Sequence, residues 1–157
     1  MKFSALLILL APLAFLFQKC QKAPDFSVIP SIAFVSFNQT QIHPDKDSLK
    51  ITFSFKDGDG DLGYNSGQNT KGDTTIYVTD VRADKNDYTY IFDMPLITAK
   101  GSYKQISGNF TIDMISDCHC RPDHASEDTV SYKIKIRDRA GHISNSIQTP
   151  KVFLICN

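Results

Sequence analysis

Three carboxylates stand at alternate positions in the segment Asp57-Gly58-Asp59-Gly60-Asp61-Leu62-Gly63. Glycine reaches backbone angles closed to other residues, so glycines between the acids let the chain curl and turn successive carboxylates toward one point. Held there without a counter-ion, they repel. A hard divalent cation with oxygen ligands relieves that repulsion, and outside the cytoplasm calcium is the natural one. Asp57, Asp59 and Asp61 are therefore the candidate metal ligands, with Ca2+ in a structural role as the expected cofactor. The affinity typical of extracellular modules, about 10⁻⁴–10⁻³ M, sets the scale.

The spacing matches the first three ligand positions of an EF-hand loop and then departs from it. Leu62 stands where that loop needs glycine, and Gln68 where it needs a bidentate glutamate. Other ligands must come from elsewhere, and Asn65, Asn69, Asp73 and backbone carbonyls are the local choices. A solvated turn is the plain alternative, since Asp and Gly are common turn residues. Against it, residues 57–73 form a long connection with almost no apolar content. Loops beyond about 12–15 residues are uncommon unless functional or disordered.

Asp59 and Asp61 also allow a rival reading, the two carboxylates of a small envelope hydrolase. A glycine-rich loop is a poor platform for that geometry. The chain has no G-x-S-x-G, no H-E-x-x-H and no phosphate-cradling glycine loop before a helix. No catalytic residue is assigned, and the expectation is that the protein is not an enzyme. A third reading is a carbohydrate-binding module. The chain has no Trp, so Tyr64, Tyr77 or Tyr88 would have to stack on the sugar.

The disulfide candidates are Cys118, Cys120 and Cys156. A bridge from Cys118 or Cys120 to Cys156 would tie the end of the chain to the loop near residue 120. A zinc site at Cys118, His119, Cys120 and His124 is the alternative, but its spacing is not a standard one. His43 and His142 stand alone and read as surface residues.

Strands must position these groups. Ser48 to Lys56 alternates, with Leu49, Ile51, Phe53 and Phe55 on one face. Thr129 to Asp138 alternates as clearly, with Val130, Tyr132, Ile134 and Ile136 together and lysines opposite. Ser31–Phe37 reads as a strand buried on both faces. Segments 74–82, 88–94, 109–114 and 147–155 complete a set of about seven, with Pro150 implying an edge or a bulge in the last. No helical pattern competes. The expected fold is all-β, a single antiparallel β-sandwich over 32–157.

Residues 5–17 are an unbroken apolar run behind Lys2, too short to span a bilayer comfortably and the right length for a signal peptide. Cys20 follows almost at once. This start resembles a bacterial lipoprotein signal, although Phe17, Gln18 and Lys19 replace the usual lipobox residues. The resemblance implies a cleaved signal over 1–19, acylation of Cys20, a tether over 20–31, and attachment to a membrane through acyl chains.

The chain has 157 residues, enough for one domain, with 17 basic and 17 acidic side chains. That balance excludes an electrostatic nucleic-acid binder, which needs a basic excess. Removing residues 1–19 takes two lysines and leaves the remainder slightly acidic, so adhesion through a basic patch is not expected either.

Two further resemblances concern the fold. Tyr132 followed by Asp138, Ala140, Gly141 and Ser144 looks like the last hairpin of immunoglobulin-like and fibronectin type III-like bacterial domains. With the Cys20 start and the Asp-Gly loop, the whole chain is similar to small uncharacterised Bacteroidota-type lipoproteins with one Ig-like domain. The similarity implies a cell-envelope setting, at the outer membrane or in the periplasm, and no activity. The functional expectation is a lipid-anchored, non-catalytic binding or structural module whose partner is an envelope protein or a glycan.

Overall fold

The computed structural model describes residues 25–44, 46–65, 75–82, 88–99, 103–114, 119–121 and 126–156. The expected signal peptide, Cys20, Cys118, His124, Asn69 and Asp73 lie outside these. Among the described residues there are ten strands and no helix. They are β1 (Ser31–Phe37), β2 (Gln41–Ile42), β3 (Leu49–Asp57), β4 (Thr75–Asp80), β5 (Thr89–Asp93), β6 (Ile106–Met114), β7 (Glu127–Val130), β8 (Tyr132–Arg137), β9 (Ile147–Gln148) and β10 (Val152–Ile155). They pair in the orders β1-β3-β6, β2-β10-β7 and β5-β4-β8-β9. The fold is all-β and sandwich-like, as the alternation predicts.

Three differences raise the strand number from seven to ten. The expected strand over 129–138 is two strands divided at Ser131: β7 pairs with β10, whereas β8 pairs with β4. The expected strand over 147–155 divides around Pro150, β9 pairing with β8 and β10 with β7 and β2. Pro150 has no N–H for a ladder, and it sits where the chain leaves one sheet for the next. Thr149 covers the crossing: its N–H donates to the Tyr132 carbonyl at 2.9 Å, and its hydroxyl accepts the Tyr132 N–H at 3.0 Å. The third difference is β2, two residues long and parallel to β10. In addition, β6 begins at Ile106 and not at 109.

β1 departs from expectation in burial. It is an edge strand, paired only with β3 in its sheet. Ile32 is buried, but Val35 is 46% exposed, so β1 buries one face and not two.

The alternation of β3 and β8 does the main packing. Leu49, Ile51, Phe53 and Phe55 point inward from β3, and Tyr132, Ile134 and Ile136 from β8. They join one core with Ile76, Val78, Ile112, Met114, Val130, Val152 and Leu154, drawn from all three strand groups. Both inward rows end in a carboxylate. One more step along β3 is Asp57, and one more along β8 is Asp138, and both are fully buried. Period two sets that direction, because the next inward position after Phe55 is 57 and after Ile136 is 138.

A second buried charge cluster lies in the loops around residue 120. Cys120 and Cys156 are joined by a disulfide. This is one of the two expected pairings with Cys156, and it commits the Cys120 sulfur that the zinc alternative needed. Next to it, Asp128 is fully enclosed by Arg82 Nη1 at 2.9 Å and Arg121 Nη2 at 2.7 Å. It also accepts the N–H groups of Arg121 at 3.0 Å and Thr129 at 2.7 Å. Burial opposes its ionisation, but these hydrogen bonds, led by Arg121, outweigh burial and hold its carboxyl well below the usual range. Arg82 completes the set with Asp80 through Nε and Nη2.

Candidate metal centre

The segment after β3 is anchored at four points. Leu62 is fully buried in the core. Its carbonyl accepts the Ile97 N–H at 3.1 Å, and the Tyr64 N–H donates to the Met94 carbonyl at 3.0 Å. Gly60 and Gly63 have φ of 71° and 78°, the left-handed region that favours glycine. They are also points of close approach. A Cβ on Gly60 would stand 2.0 Å from the Lys104 carbonyl oxygen, and one on Gly63 would stand 1.9 Å from that of Pro95. The glycines therefore let the loop curl and press against the chain entering β6 and the chain leaving β5.

The curl turns the acids inward. The Asp61 N–H donates to Asp57 Oδ2 at 3.0 Å and closes the loop on itself. One carboxylate oxygen from each of Asp57, Asp59 and Asp61 lies within 4.8 Å of those of the other two. Two oxygens bound to one calcium at about 2.3–2.6 Å stand at most about 5 Å apart, so the three fit around a single ion. Oδ1 of Asp57, of Asp59 and of Asp61 are each buried and without a hydrogen-bond partner.

The other buried carboxylates among the described residues are satisfied. Asp128 and Asp80 hold arginines. Asp138 accepts the His142 N–H at 2.7 Å and faces His142 Nδ1 at 2.9 Å. The Asp57 group differs, because the charges that act on it most are of its own sign. Burial, with the charges of Asp59 and Asp61 behind it, pushes the Asp57 carboxyl up to about 6. Asp61 is raised in the same direction by burial and by the charges of Asp138 and Asp59. Burying a carboxylate without a counter-charge is costly, and the cost is relieved by a proton or by a cation.

The turn singled out as a mark of the fold also supports this site. The Ala140 N–H donates to Asp61 Oδ2 at 2.9 Å, and the Arg139 N–H donates to the Asp61 carbonyl at 3.3 Å. Arg139 Nη1 reaches the Gly63 carbonyl at 2.7 Å, and its guanidinium lies 5.9 Å from the Tyr64 ring centre. Asp138, Arg139 and Ala140 were not read as site residues from the sequence. Their contact with the loop spans about eighty residues, and no local pattern signals it. On the chain entering β6, Gln105 Oε1 is likewise buried without a partner.

The other sequence candidates are dispersed. Asn65 is exposed. The rings of Tyr64 and Tyr77 each face a cation, Lys135 in the second case at 5.3 Å, whereas Tyr88 is 64% exposed and packs edge-on against Tyr90. His43 pairs with Asp47 at 3.2 Å. Among the described residues no helix is long and apolar enough to cross a membrane. Comparison with protein-family models, with curated proteins and with solved structures gives no match.

Proposed function

We propose that the chain is a lipid-anchored, non-catalytic β-sandwich module of the cell envelope, and that Asp57, Asp59 and Asp61 hold a structural Ca2+. One observation carries the cation reading: three buried carboxylate oxygens without partners converge within bonding range of one ion, at the end of a core strand. Asp57 is fully buried, so solvent does not serve it as it serves an ordinary acidic turn. The ion would fix the loop against the Arg139–Ala140 turn and set that end of the sandwich as a binding surface for an envelope protein or a glycan. The envelope setting is supported by the apolar run over 5–17 with Cys20 close behind it, and by the Cys120–Cys156 bridge, since disulfides persist in oxidising compartments.

Thermal melts of the purified chain in about 2 mM calcium and in excess chelator test the ion. At a Kd of about 0.1 mM, binding contributes about 2 kcal/mol, so the midpoint in calcium should lie about 4–7 °C higher. The double substitution Asp59→Asn, Asp61→Asn should abolish the difference. Equal midpoints for the parent chain would sink the reading. The anchor has its own test. Expressed with its own leader in a host that processes lipoproteins, the chain should pellet with membranes, and Cys20→Ser should release it to the soluble fraction. A parent chain that is already soluble would remove the anchor.

A further inference from the structure

We infer that the side-chain carbonyl of Gln105 is the fourth protein oxygen of this cation site, so that the ion ties the 57–63 loop to the chain entering β6. The inference rests on the cation reading above and extends it to a residue outside the acidic motif.

Among the described residues, four side-chain oxygens are buried without a hydrogen-bond partner. Three are Oδ1 of Asp57, Asp59 and Asp61, and the fourth is Gln105 Oε1. Leaving a buried acceptor unsatisfied is costly, and native proteins do it rarely. The fourth belongs to a segment whose backbone packs against the loop that carries the other three, and one bound cation would account for all four.

The backbone brings Gln105 to the loop from both sides. The Lys104 carbonyl packs against Gly60, where a Cβ would stand 2.0 Å from it. Ile106 pairs with Asp57 in the β3–β6 ladder, and its Cγ2 lies 3.7 Å from the same Gly60 position. Gln105 is the residue between those two contacts.

The chemistry suits the place. Calcium takes six to eight oxygens and accepts amide carbonyls as readily as backbone ones. Three carboxylates already overload the site with negative charge. A neutral carbonyl adds coordination without adding repulsion. It also gives the loop a ligand from the chain entering β6, outside the loop itself, which the local choices Asn65, Asn69 and Asp73 would not supply.

Calcium titration calorimetry on the purified chain decides it, with melts in chelator alongside. Gln105→Leu removes the oxygen and puts an apolar group in a half-buried place. It should weaken calcium binding about tenfold or more, with the chelator midpoint equal to or above the parent's. Parent-like affinity in Gln105→Leu, together with lost binding in Asp59→Asn, would overturn the role of Gln105 and leave the acidic site standing. No calcium binding by the parent overturns both. Should Gln105→Leu fail to fold, Gln105→Glu carries the test. A fourth carboxylate at the site should lower the chelator midpoint and hold calcium at least as tightly. An unchanged midpoint and unchanged affinity in that variant overturn the inference.

Discussion

Replacing Asp128 with alanine should destabilise the protein by about 3–5 kcal/mol, the usual cost of removing one partner from a buried ion pair. Asp128 is fully enclosed, and two guanidinium groups and two backbone N–H groups converge on it. Without it, Arg82 keeps Asp80 as a partner, but Arg121 loses the carboxylate it holds through both Nε and Nη2. Urea unfolding of the parent and the variant measures the difference. A loss under about 1 kcal/mol would place the cluster with solvent-exposed pairs and contradict the enclosure. The pH dependence follows from the same hydrogen bonds. The folded carboxyl titrates below its unfolded value of about 3.9, so its stabilisation is present above that value and is lost as pH falls below it toward the folded value. Asp128→Ala should flatten that acid limb.

Breaking the Cys120–Cys156 bridge should cost a comparable amount. Its ends are 36 residues apart in sequence. Closing a loop of that length removes denatured-state entropy worth about 4 kcal/mol at room temperature in the chain-entropy account. Cys156→Ser measured against the parent by urea unfolding reads it, and a loss under about 1 kcal/mol would show that the loop is held by other means. The bridge and the charge cluster are also coupled. Cys120 precedes Arg121, and Arg82 Nη1 donates to the His119 carbonyl at 2.6 Å, so the bridge helps hold the segment that closes over Asp128. Cys156→Ser and Asp128→Ala together should therefore cost less than the sum of the two singly.

Much of the fold was legible in period-two alternation, and the reasons for its misses are physical. Ser131 and Pro150 mark places where the chain changes sheets. At Ser131 the inward and outward positions continue in step through the break, with Val130 and Tyr132 both buried, so alternation alone reads one strand where pairing makes two. β2 has two residues and carries no period at all. The candidate site was half legible. The Asp-Gly spacing is local, and so is the inward direction of Asp57, which follows from extending the Leu49-to-Phe55 row by one step. The contacts that turn a flexible acidic loop into a fixed one come from residues 104–106 and 138–140, and such contacts leave no trace in local spacing.

The placing of β10 has a consequence for how the chain must be made. Strands Gln41–Ile42 and Glu127–Val130 are joined only through Val152–Ile155, which lies between them. A ribosome or an export channel delivers residues in order, so the middle member of that sheet arrives after both of its neighbours. Until it does, they present open hydrogen-bonding edges, and Leu154 and Val152 are missing from the core. That sheet therefore cannot form until the chain has emerged past residue 155. A product that stops short of Val152 is left not with a frayed end but with a sheet split down its centre.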